Sequence, residues 1–263
     1  MTDKGLAASV AGIVPESGIV QQVGSERVVW TDPEYSRETA AIALGEHGRV
    51  LVGLRSARNL EDVLGVAARH HNCLDRAFCE RAKSPGCAIA CRRGCGFCCH
   101  LRTDALPWEV FRLVHFIRRH LTPEQVKAVR DRADANQNAT SMMSPAERWK
   151  VSLPCPLLQS NACLAYEARP AVCRMYHAKD VSLCERVFKD PKTEEWETSV
   201  PELRVRLMAV SCAADQAFAH EAYDTRPYDL SCALVEALDS PKCAKRWWKR
   251  KRAFSGESVT TVP

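Results

Sequence analysis

The chain has 263 residues, of which 46% are hydrophobic and 26% charged, with a net charge of +5. That is ordinary for a soluble globular protein and enough for one large domain or two small ones. No run of about eighteen apolar residues occurs, so no membrane span is expected, and a mild positive charge does not by itself imply nucleic acid.

The unusual count is fourteen cysteines. In a small secreted chain they would suggest disulfides. The N-terminus, Met1 to Val10, has no basic segment followed by a long apolar core, so no secretory signal is visible. A reducing cytoplasm is the expected compartment, and clustered thiols there point to metal ligands.

Residues 1–37 carry Gly, Ser, Pro and Glu with scattered valines and predict a flexible leader. Val50, Val52 and Leu54 alternate after Gly45 and Gly48, which predicts a short strand. From Asn59 to Phe78 the apolar spacing is helical, with Asn59 as N-cap and Glu61 and Asp62 in the first turn. Lys83 to Cys87 reads as a loop. Pro107 opens a helix marked by Val110, Leu113, Val114 and Ile117. Thr122-Pro-Glu-Gln125 and Ser144-Pro-Ala-Glu147 each read as a capping box. Lys150 to Asn161 is too rich in Pro and Ser for a helix. Arg169-Pro170 starts a short one, and longer helices are predicted over 201–223 and 228–239. The expected fold is mainly α, with helices packed around a cysteine-ligated metal site and at most a short strand pair near the N-terminus. A single domain over 38–252, with its motif core at 87–190, is followed by a disordered tail over 253–263.

The chemistry sits in two cysteine runs. The first is Cys91-Arg-Arg-Gly-Cys95-Gly-Phe-Cys98-Cys99-His100. The second is Cys155-Pro156, then Cys163, Cys173 and Cys184. Thiolates are soft ligands that hold zinc tetrahedrally or iron in iron–sulfur clusters. A Cys-x-x-Cys turn aims two sulfurs at one centre, and Gly94 and Gly96 suit the tight backbone this needs. Packing alone has no use for the spacing of Cys95, Cys98 and Cys99. The adjacent pair Cys98 and Cys99 can bridge neighbouring metals or serve different roles. Eight candidate thiolates exceed one tetrahedral site and favour a cluster or two metals. Isolated thiols such as Cys73, Cys79, Cys212, Cys232 and Cys243 read as buried and inert. His100 and His177 stand beside ligand cysteines and read as supporting groups rather than ligands.

These residues carry a resemblance. Cys-x3-Cys-x2-Cys-Cys, Cys155-Pro-Leu-Leu, Cys163-Leu-Ala-Tyr166-Glu167-Ala-Arg169-Pro170 and Cys173-Arg174 resemble the YkgJ-type cysteine-cluster family, described as a zinc- or iron-chelating domain. The resemblance covers about residues 87–190 and implies metal binding more firmly than any reaction. Leu157 and Leu158 stand where that family has Phe-Leu. The gap between Cys91 and Cys95 is one residue longer than in some members, which leaves Cys91 the least secure ligand. The cysteine pattern is also similar to that of the flagellin lysine N-methylases, but no glycine-rich nucleotide loop accompanies it here. Tyr166, Glu167, Arg169 and Arg174 belong to the motif. The two arginines bring positive charge towards the thiolates, and Glu167 is placed to pair with one of them.

Lys245-Arg-Trp-Trp-Lys-Arg-Lys-Arg252 holds six basic residues and two tryptophans. Such a run can bind nucleic acid or an anionic surface, or it can pack a tryptophan and leave its charges solvated. Three function classes follow: a metal-dependent redox or group-transfer enzyme, a structural-zinc module using its basic end on nucleic acid, and a metal carrier. No Ser/His/Asp grouping, phosphate loop or carboxylate pair marks a catalytic site.

Overall fold

The computed structural model describes residues 20–23, 26–29, 33–83, 87–190 and 199–256. In chain order it contains β1 (Val20–Val23), β2 (Glu26–Val29), α1 (Pro33–Ser56), α2 (Leu60–Ala82), β3 (Asp104–Ala105), α3 (Pro107–His120), α4 (Pro123–Thr140) and α5 (Pro145–Arg148). It continues with β4 (Leu158–Gln159), β5 (Ala162–Cys163), α6 (Ala171–Met175), α7 (Val181–Lys189), α8 (Pro201–His220), β6 (Tyr228–Asp229), α9 (Leu230–Asp239) and α10 (Lys242–Trp248). Two 3₁₀ turns, Phe97–His100 and Tyr166–Ala168, stand in the cysteine region. The protein is mainly α, as expected. Its strands pair antiparallel as β1–β2, β3–β6 and β4–β5. The sequence stretches at 1–19 and 257–263, within the expected leader and tail, lie outside the described residues.

Contacts divide the described chain into two units, one drawn from Met1–Cys87 and Ser199–Tyr223, the other from Ala88–Thr198 and Asp224–Val262. The first contains α1, α2 and α8 packed on one another. Here the strand expected at Val50–Leu54 is corrected: these residues are the last turns of α1. Thr39, Ala43, Glu46, Val50 and Leu54 are buried at helical spacing, whereas Val52 is 65% exposed. The alternation of three residues was a coincidence inside a longer 3.6-residue period. The polar members of that stripe have partners. Glu46 accepts from His70 Nδ1 at 2.9 Å and from Arg49 Nη2 at 2.8 Å, and Arg206 donates to Thr39 Oγ1 at 2.8 Å. Gly53 lets α1 and α2 approach closely, since a Cβ there would meet Val66 Cγ2 at 2.8 Å.

The second unit contains α3, α4 and α9 packed together, with α10 against α9. The predicted capping boxes are present. Gln125 N donates to Thr122 Oγ1 at 3.3 Å while Thr122 N donates to Gln125 Oε1 at 2.9 Å, and Ser144 with Glu147 repeats the exchange. α7 and α10 were not predicted. α7 is capped by Asp180, which accepts from Ser182 N at 2.8 Å. α10 passes through the basic run and buries Trp247 completely. Its ring lies 5.4 Å from that of Phe111, and its Nε1 donates to Asp224 O at 3.0 Å. Ala253 and Phe254 are also buried, so the packed core runs past Arg252. Lys245, Lys249, Arg250, Lys251 and Arg252 remain exposed.

Candidate metal centre

All eight cysteines of the two runs lie in the second unit, on loops and helix starts between α2 and α8. The first run folds as a turn followed by a 3₁₀ turn. Cys95 N donates to Arg92 O at 3.1 Å, and Gly94 closes this turn at φ +88°, a region that favours glycine. Cys99 N donates to Gly96 O at 3.1 Å, which seats Cys98 and Cys99 on successive positions of the 3₁₀ turn. Cys91 is exposed as a residue, yet its sulfur accepts from Ala178 N at 3.2 Å.

The second run comes to the first through the backbone. Cys155 N donates to Cys99 O at 2.7 Å, and Leu153 N to His100 O at 3.1 Å. Cys155 then starts the β4–β5 hairpin, in which Leu158 pairs with Cys163. Ser160 and Asn161 turn the hairpin with φ of 50° and 59°, the two positive values of a two-residue type I′ loop. Cys173 sits in α6, directly after the Tyr166–Ala168 turn. Cys184 lies on α7, whose Phe188 ring packs 5.7 Å from Phe97 and 4.6 Å from His100. Thus all eight predicted ligands sit on segments joined to one another. Among the described residues, however, no three His, Cys, Asp or Glu side chains are already grouped to hold a metal ion. Coordination would draw the thiols together, as metal binding commonly does when it completes local folding.

Electrostatics describe what the thiols need. Burial pushes Cys155 up to about 12 and Cys173 well above its ordinary value, and neighbouring thiols add to the effect in both. Cys91, Cys163 and Cys184 are raised mainly by burial as well. Cys99 is the exception: the hydrogen bond from Cys98 brings it down to about 7, and Cys98 is raised in return. Arg132 opposes the rise at Cys155, as Arg169 and Arg174 do at Cys163, but burial outweighs them. A set of crowded, desolvated thiols becomes a set of thiolates when a cation supplies the missing charge. The donor set therefore fits a thiophilic metal.

The motif residues around the cysteines act mostly through the backbone. Arg174 is buried and forks to Glu167 O at 2.6 Å and Arg169 O at 2.9 Å. Arg112 Nη2 donates to the same Glu167 carbonyl at 2.9 Å. The Arg169 guanidinium lies 3.9 Å over the Tyr166 ring, and that of Arg93, from the first run, lies 5.3 Å from it. His100 Nδ1 bonds to Gly96 O at 3.1 Å and His177 Nδ1 to Met175 O at 2.8 Å, which fixes both rings.

Sequence reasoning missed three supporting residues. Glu109 is buried and accepts from Leu106 N at 2.8 Å and from Ala171 N at 2.6 Å, so one carboxylate ties the start of α3 to the start of α6. Its only sequence signal is its place three residues after Leu106, where a helix-opening acid sits. Arg132 donates to Pro156 O and Asn136 to Pro154 O, at 2.8 and 2.9 Å. They are one turn apart on α4 and hold both sides of Cys155. A cavity of about 10 Å³ behind Cys155, bounded by Asn136, Arg148 and Asp229, has room for about one water.

Residues 90–212 match the family model CxxCxxCC, whose description is "Putative zinc- or iron-chelating domain", the YkgJ-type cysteine-cluster family. No curated protein and no solved structure matches the chain. Among the described residues, no helix is long and apolar enough to cross a membrane.

Proposed function

We propose that the protein holds zinc or iron, the latter including an iron–sulfur cluster, through Cys95, Cys98, Cys99, Cys155, Cys163 and Cys173, joined by Cys91 and Cys184. Its place of action is the cytoplasm, where these thiols stay reduced. The observation that carries this reading is the 2.7 Å bond from Cys155 N to Cys99 O, which brings two cysteine runs side by side from distant parts of the chain. Half-buried thiols that raise one another's pKa are a poor packing choice and a good ligand set.

When bound, the metal supplies a fixed positive charge and, if it is iron, a redox centre. The chain's own residues position the ligands. Arg174 clamps the turn before Cys173, Glu109 anchors the start of α6, and Arg132 with Asn136 holds the Pro154–Pro156 segment. The cavity behind Cys155 has room for about one water. The basic end offers five exposed cations, but Trp247 is in the core and Arg246 pairs with Glu236 at 2.6 Å. That arrangement favours a packed terminus over a base-stacking platform.

Elemental analysis and an absorption spectrum of the full chain, purified without oxygen, test the reading. Stoichiometric zinc in a colourless protein, or iron with sulfide in a brown one, supports it and identifies the metal. Absence of both metals refutes it.

A further inference from the structure

We propose that the cavity behind Cys155 is the site of one resident water, held by Arg148 and Asp229, and that this water backs the segment carrying Cys155. The inference goes beyond the metal-binding reading and does not depend on it.

The cavity of about 10 Å³ lies in the second unit, where four parts of the chain meet. Leu101 and Thr103 come from the stretch before β3, and Leu153 and Cys155 from the stretch before β4. Arg148 comes from the end of α5 and Asp229 from the start of α9. A site of that size admits a water and excludes organic ligands.

Arg148 is 8% exposed, and its guanidinium is short of partners. Among the described residues its Nε makes no hydrogen bond. Asp229 Oδ2 stands 3.5 Å away, close enough for charge attraction and too far for a good hydrogen bond. Nη1 reaches Val151 O at 3.4 Å, also long. A guanidinium keeps its charge at any ordinary pH, so an unmet donor on it is costly to bury. Asp229 is not at liberty to close the gap. Its Oδ1 accepts from Ser231 N at 2.9 Å and from Cys232 N at 3.4 Å, which caps α9.

A water beside this pair satisfies both without moving either. It accepts from Arg148 Nε and donates to Asp229 Oδ2. Ser231 Oγ also lines the cavity and receives only a long bond, 3.5 Å from Asn136 Nδ2, so it offers a third partner. Three partners are the usual number for a buried water.

The same wall carries Leu153 and Cys155, whose amides donate to His100 O and Cys99 O. Asn136, also at the cavity, donates to Pro154 O at 2.9 Å. The water fills the space against which these bonds are held. Its loss leaves a void and an unmet cation beside them.

A crystal structure of the full chain, at a resolution that shows internal waters, should place one water within hydrogen-bonding distance of Arg148 Nε and Asp229 Oδ2. In solution the Arg148 Nε proton should give a water cross-peak of opposite sign in NOESY and ROESY spectra, the mark of a long-lived contact rather than of proton exchange. An unfilled cavity, or a direct bond from Arg148 Nε to Asp229, overturns the site. Arg148→Met removes the donor and keeps most of the stem. Amide hydrogen exchange at Leu153 and Cys155 should then quicken by about tenfold, relative to that of Val114 in α3, which does not border the cavity. Unchanged relative exchange at both amides overturns the supporting role. Arg148→Lys, which also lacks the Nε donor but keeps the charge, gives the same reading where the first variant does not fold.

Discussion

Cys155 donates its amide to the carbonyl of Cys99 at 2.7 Å, and that one backbone bond joins the two cysteine runs. Because the bond is between main chains, it survives replacement of either side chain. Cys155→Ser should therefore keep the fold of the loop while removing a ligand. The expected outcome is metal content reduced by at least one ion per chain and a lower Tm, with little change in helical circular dichroism of the metal-free protein. A metal held at about a thousand times its Kd adds about 4 kcal/mol of stability, so chelation should lower the Tm of the unsubstituted chain and leave that of the variant less affected.

Glu109 holds the start of α6 through Ala171 N. Burial raises its carboxyl above the usual range, and bonds from the Ala171 and Leu106 amides work against the rise. Glu109→Ala leaves two buried amides without that acceptor, at a cost of about 2–5 kcal/mol. Cys173 then loses its fixed position, and metal affinity should fall about 10–100-fold although no ligand has been removed. Competition titration with a chromogenic chelator reads this. Unchanged affinity would show that α6 is positioned by something else.

Arg174 forks to two carbonyls from inside the protein. An ammonium is a point donor on a flexible stem and does not reproduce that fork. Arg174→Lys should lower stability to denaturant by about 1–3 kcal/mol, and Arg174→Ala by more. Lysine behaving like arginine would show that charge near the thiols, rather than the clamp, is what this residue contributes.

Asp224 gathers the C-terminal segment. It accepts from Arg226 Nε at 2.7 Å, Tyr228 Oη at 2.9 Å and Ala253 N at 2.9 Å. Burial works to raise its carboxyl, but the bonds from Arg226, Ala253 and Tyr228 prevail and hold it below the usual carboxylate range. A depressed folded value gives stability that is present above the unfolded pKa of about 3.9 and is lost as pH falls through the folded value. Asp224→Asn should cost about 1–3 kcal/mol near neutral pH, and the difference from the unsubstituted chain should shrink on acidification. Urea unfolding at neutral and acid pH checks this; a difference that grows towards acid contradicts it.

Trp247→Ala removes a fully buried ring and should destabilise by about 3–5 kcal/mol. Lys249→Ala and Lys251→Ala change exposed charges and should stay within about 0.5 kcal/mol. A residue that served to stack on bases would show the reverse pattern at Trp247, with stability kept and binding lost.

The parts legible in the sequence are those whose signal is local. Asn59, Thr122 with Gln125 and Ser144 with Glu147 open helices as their spacing predicts, because a cap and its partner lie within one turn. The cysteine runs are legible for the same reason. α1 is not legible because Thr39 and Glu46 occupy its buried stripe, and their partners Arg206 and His70 are far away in sequence. Without those partners the stripe looks broken and only Val50, Val52 and Leu54 stand out. Glu109, Arg132 and Asn136 were hidden likewise, since each bonds to a main-chain group that leaves no trace in residue identity. The run at 245–252 admits a packed tryptophan, and Trp247 is that residue.

The most direct test of the account is the metal content of the full chain, purified without oxygen, set beside that of Cys99→Ser with Cys155→Ser. The account predicts zinc or iron in stoichiometric amount in the first, and loss of at least one ion with a lower Tm in the second. Neither metal in the first, with the same Tm in both, would contradict it.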